Sequence, residues 1–198
     1  FLSMADIAYF VPDLWGNDQL LELAGEVKGS VNNIKSNFRR LQIGDTYIRG
    51  SFDISGLTEP ESMFIAVSVD KLITSKEALE AIRVPPFSEA AYLSLPDNIA
   101  TLGEISFSGS FMGFPTDFVA YGDMQTAIGR IKSDVKFLVD TANSNLTYTG
   151  NLQAFNFNLG RYYNIPSVGE VTADIQIDTA YGLSVDEDLH AIVNGNVT

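Results

Sequence analysis

No cysteine occurs in the 198 residues, which excludes disulfides, zinc–thiolate sites and thiol catalysis. Histidine occurs once, at His190. One imidazole cannot build a histidine-based metal site, and no second type of ligand is suitably spaced around it. Positive charge is scarce: 12 Lys and Arg stand against 25 Asp and Glu, a net charge of −13. The densest basic patch is Arg39-Arg40. Phosphate backbones are bound by clustered Lys and Arg, so nucleic acid is excluded as a partner, and an anionic membrane surface repels the chain for the same reason. No apolar run approaches the roughly 18 residues of a membrane-spanning helix. No signal-peptide pattern opens the chain either. It reads as an internal segment of a longer protein, with any signal or anchor outside it.

Catalytic constellations are equally scarce. Asp186, Glu187 and Asp188 lie near His190, but a calcium loop needs more oxygen ligands at fixed spacing and a turn glycine. The cluster reads as a solvated loop, and His190 as a strand histidine. Paired carboxylates of the glycosidase type gain little support, because Trp15 is the only tryptophan for stacking on a sugar. Gly25 and Gly29 lack the lysine and the helix that a phosphate loop requires. No nucleophile–base–acid triad is visible. The expectation is a non-enzyme with no cofactor and no metal.

What is present is alternation with a period of two. Thr46 to Ile54 places Ile48, Phe52 and Ile54 on one face, and Tyr47, Arg49, Ser51 and Asp53 on the other. Gly103 to Gly113 repeats the scheme with Ile105, Phe107 and Phe111. Gly129 to Val139 does so with Ile131, Val135, Phe137 and Val139, and Gly169 to Ile177 with Val171, Ile175 and Ile177. Antiparallel strands with one dry and one wet face read this way. Gly-X-apolar openings recur at Gly25, Gly50, Gly103, Gly129, Gly150, Gly169 and Gly195. Their spacing suits one long hairpin per repeat in a stacked architecture. Glycines within strands supply the bends of a sheet that curls; as plain turn residues they fit an ordinary sandwich instead.

Two segments break the pattern. Ser3 to Asp6 resembles a capping box leading into a short helix with Ile7, Tyr9 and Phe10, stopped by Pro12. Thr74-Ser-Lys-Glu77 is a second capping box, followed by Ala78, Leu79 and Ile82 and stopped by Pro85-Pro86. This second helix is expected to cover an end or edge of the sheet. The expected organisation is a first β unit over 1–84, a proline-containing connection over 85–102, and a second β unit over 103–198 continuous with the first. Aromatic and aliphatic residues concentrate in Ile105, Phe107, Phe111, Phe114, Phe118 and Tyr121, and again in Leu152, Phe155, Phe157, Leu159, Tyr162 and Tyr163. They are either the filled core of a closed β-sandwich that binds protein or glycan, or an open apolar groove for acyl chains. Burial is worth roughly 0.8 kcal/mol per CH₂.

The run Leu95 to Phe114, with Asp117-Phe-Val-Ala120, Gly122, Thr126, Gly129, Ile131 and Asp134, resembles the large TamB-type proteins of Bacteroidetes, within the wider AsmA-like group. Gly25 to Ile34 and Gly50 to Leu57 are similar to the preceding part of those proteins. The resemblance covers most of the chain and implies an all-β fold, mainly antiparallel, curled into an elongated U-shaped, taco-like sheet. It also implies the periplasmic part of an inner-membrane-anchored envelope protein. Its role would be phospholipid transport between membranes or outer-membrane protein assembly, with an Omp85-type outer-membrane barrel partner met by regions outside this segment. On this reading Ile48, Phe52, Ile54, Ile105, Phe107, Phe111, Ile131, Val135, Phe137, Val171 and Ile175 line a groove for phospholipid acyl chains.

Overall fold

The computed structural model describes residues 2–3, 19–30, 32–56, 59, 62–83, 91–140, 145–181 and 190–197. In chain order the elements are β1 (Leu2–Ser3), β2 (Leu20–Ser30), β3 (Asn33–Ile43), β4 (Thr46–Ser55) and β5 (Phe64–Thr74). Helix α1 (Lys76–Glu80) and a 3-10 helix (Asp97–Leu102) follow, then β6 (Ile105–Phe114), β7 (Asp117–Thr126), β8 (Gly129–Asp140) and β9 (Asn145–Asn158). Helix α2 (Leu159–Tyr163), β10 (Glu170–Tyr181) and β11 (His190–Val197) complete them.

All eleven strands form one antiparallel sheet in sequence order, β1 at one edge and β11 at the other, so the sheet is open. Tight connections make this order the natural one: Gly44-Asp45, Pro115-Thr116 and Ala127-Ile128 each join neighbouring strands. The proline-containing connection does not divide the sheet, because β5 pairs directly with β6 from Ile65↔Gly113 to Thr74↔Ile105. One sheet therefore runs across residues 85–102.

The sheet curls, and its bulges carry the curvature. Between Phe38 and Leu41, β3 holds one residue more than β4; between Val69 and Leu72, β5 holds one more than β6. The residues inside these bulges are Arg39-Arg40 and Asp70-Lys71. An extra residue reverses the phase of alternation, so apolar side chains before and after the bulge reach the same face. The register also shifts in β9 beside Val171 and Ala173 of β10, where Asn156 adopts a positive φ of 46°.

Two corrections concern local structure. The helix cap after β5 is Ser75, whose hydroxyl accepts the Ala78 N–H at 3.2 Å. Thr74 instead ends the strand, where its buried hydroxyl meets that of Thr46 at 2.8 Å. The proposed amino-terminal helix lies outside the described residues beyond Ser3, and Ser3 itself pairs with Leu20 in the sheet. The glycine spacing matches one hairpin only from Gly25 in β2 to Gly50 in β4, and from Gly103 to Gly129 at the starts of β6 and β8. Gly129, Gly150 and Gly169 fall on or beside consecutive strands, because β9 alone is 14 residues long.

Candidate functional site

Directly paired residues of an antiparallel ladder share a face, so the register can be read across the sheet as rows. One row is Leu41, Ile48, Leu72, Phe107, Met124, Ile131, Ala154 and Ala173. The next is Phe38, Gly50, Val69, Gly109, Gly122, Ser133, Leu152 and Ile175. A third is Ser36, Phe52, Val67, Phe111, Ala120, Val135, Gly150 and Ile177. The fourth is Ile34, Ile54, Ile65, Gly113, Phe118, Phe137 and Tyr148. No charged residue enters any of these rows. Ile105 and Val171 extend the same face towards the helices, paired with Thr74 and Phe157. All eleven groove candidates thus share one face.

The opposite face is mainly polar, although exposed Met112, Val119 and Leu138 also lie on it. One of its rows reads Asn37, Ser51, Ser68, Ser110, Tyr121, Asp134, Asn151 and Gln176. Cross-strand ion pairs lie here: Lys35 with Asp53 at 2.6 Å and Arg130 Nε with Asp123 at 2.7 Å. The Arg130 guanidinium grips Asp123 through both oxygens and is the main reason its carboxyl is held below the ordinary value. Three of the aromatics grouped with the apolar surface on sequence grounds belong to this face. Phe114 pairs with Asp117, Tyr121 with Ser110, and Phe155 with Arg130. Phe155 is 40% exposed and lies under the Lys132 ammonium, 5.9 Å from its ring centre.

Among the described residues no second layer covers the apolar face across most of its breadth. Ile48, Phe52, Ile54, Phe107, Phe111, Ile131, Val135, Phe137, Val171 and Ile175 are all only partly buried, and only Ile105 is buried. Among the described residues no large side chain is fully buried. Aromatic rings instead pack side by side along the sheet: Phe111 to Phe118 at 4.6 Å, Phe118 to Phe137 at 4.8 Å, and Phe137 to Tyr148 at 6.2 Å. At such spacings each pair adds about 0.5–1.5 kcal/mol beyond area burial.

At one end of the strands this face is walled in. The buried cluster there is Leu102, Ile105, Ile128 and Phe157, with Ile99, Met124, Leu159 and Tyr162 packed against it. Helix α1, the 3-10 helix and α2 rise around it and enclose a concave space of about 670 Å³. Its lining runs from Leu79 and Leu95 through Ile131 and Leu152 to Val171 and Ile175, and among the described residues its only polar side-chain atoms are the hydroxyls of Tyr162 and Tyr163. The Glu80 carboxylate fixes this wall: it accepts both the Lys76 ammonium at 2.8 Å and the Leu95 N–H at 2.9 Å. Those bonds, the lysine's first, hold the Glu80 carboxyl below its ordinary range. Sequence reasoning missed α2, because five residues are too few to show a period, although Asn158 caps it at the Arg161 N–H.

His190 pairs with Tyr181 at the β11 edge, and Asp186 to Asp188 lie outside the described residues. Among the described residues no group of three or more His, Cys, Asp or Glu is placed to hold a metal ion, and no helix is long and apolar enough to cross a membrane. Comparison with protein-family models, with characterised proteins and with solved structures finds no match for the chain.

Proposed function

We propose that this chain is a segment of a periplasm-spanning envelope-biogenesis protein of TamB-like type, whose apolar face shelters phospholipid acyl chains in transit between membranes or supports outer-membrane protein assembly. The observation that carries this reading is the uncharged, half-exposed face shared by β3 to β10. Neighbouring strands stand about 4.8 Å apart, so the seven intervals between these strands extend roughly 34 Å. One acyl chain reaches half of a hydrocarbon core about 30 Å thick. The face is therefore long enough to pass a chain from strand to strand without returning it to water. An exposed apolar patch of this extent marks an interaction surface rather than an ordinary monomer surface. A filled sandwich needs a second sheet on this face, and the described strands all belong to one.

A photo-crosslinking amino acid placed at Phe52, Phe111 or Phe137 in the cell envelope is expected to capture phospholipid. The same group at Ser110 or Lys136, on the polar face, is expected to capture none. Equal capture on the two faces, or no capture on either, rejects the reading.

A further inference from the structure

The helix-walled space beside β6 to β10 differs from the rest of the apolar face. Leu102, Ile105 and Phe157 form its buried floor; Leu152, Ile175 and Tyr162 line its sides. Its volume of about 670 Å³ lies within the roughly 300–1,000 Å³ of ligand pockets. At ~30 Å³ for a water-sized group, close to the size of a methylene, it holds about twenty such groups. That is one acyl chain of about 16–18 carbons, and too little for two. Among the described residues that line it, none is titratable other than the two tyrosines, so a headgroup stays outside.

We infer that this pocket is a discrete resting site for a single acyl chain whose polar head stays outside it. The inference rests on the groove reading for its class of ligand, and adds that one position along the face holds one chain at a time.

The test is equilibrium binding of saturated fatty acids of graded length to the whole chain, by displacement of a fluorescent fatty acid. Affinity is expected to rise about fourfold per added methylene and to level off near about 16–18 carbons. Ala154→Phe places a ring inside the space and is expected to weaken binding at least tenfold. Leu152→Trp fills the same volume from the same strand and decides the matter should the first variant fail to fold. Binding that ignores chain length, or that survives both filling variants, overturns the pocket. Lipid capture at Phe111 in those same variants reports on the groove separately. Capture there with no pocket effect sinks only the pocket, and loss of capture in the parent chain sinks the groove.

Discussion

Asn156 and Gly109 show how single residues set the shape of the apolar face. Asn156 occupies the left-handed region at the β9 register shift, and the Thr172 hydroxyl bonds both its N–H and its side-chain oxygen, at 3.2 and 3.1 Å. The shift brings Phe157 into the floor of the walled space opposite Val171. A β-branched residue pays about 1–2 kcal/mol in this conformation, so Asn156→Val is expected to lower unfolding stability by about that amount in urea titration. Asn156→Gly is expected to stay within about 0.5 kcal/mol of the parent. Gly109 is directly opposite Gly122, and the Phe107 ring lies over both. A methyl group on Gly109 would meet the Tyr121 carbonyl oxygen and stand 2.6 Å from Phe107 Cζ. Overpacking of this kind costs about 1–3 kcal/mol. Gly109→Ala should fall in that range, and Phe107→Leu on the same chain should recover part of the loss by removing the ring edge.

At the scale of elements, the alternation in β4, β6, β8 and β10 was legible in the sequence, and the bulged strands β3 and β5 were not. Ile48, Phe52 and Ile54 in β4, Ile131, Val135 and Phe137 in β8, and Val171, Ile175 and Ile177 in β10 keep a strict period over the stretch read, and each run lies on the face expected. In β3 the step from Phe38 to Leu41, and in β5 the step from Val69 to Leu72, breaks the count by one, so a period-two scan loses both strands. The same blindness grouped Phe155 with Phe157, although the β9 register places them on opposite faces. The walled space was illegible for a further reason: it is assembled from three short helices far apart in sequence. Pairing on the polar face carries a prediction of its own. The Asp123 carboxyl titrates below its ordinary 3.8 because Arg130 hydrogen-bonds its charged form. Its contribution to stability is therefore complete above that ordinary value and is lost as pH falls through the lower folded value. Asp123→Asn should lower the urea midpoint at neutral pH and flatten its decline over that acid window, with the gap between the two proteins closing at the acid end.

For the molecule as a whole, continuity of the uncharged face matters more than any one contact, and a charge set within it tests that directly. Val135 stands mid-sheet in the third row, between Ala120 of β7 and Gly150 of β9, and is only partly buried. A long cationic side chain there could carry its charge out to water along its own stem; aspartate is too short to do so. Val135→Asp is expected to cost little stability, about 1 kcal/mol, because the position is half-open to solvent in the free chain. An acyl chain crossing this row would have to strip water from the carboxylate, which is far more costly. On the proposed reading, lipid capture at the neighbouring Phe111 and Phe137 falls sharply in Val135→Asp, while the unfolding midpoint barely moves. Val135→Leu keeps both properties. Lys136→Asp, one residue along and on the polar face, leaves capture intact although it loses the ion pair with Asp117. Parent-level capture in Val135→Asp would mean that lipid does not cross the middle of this sheet, and the face would then need an occupant other than an acyl chain.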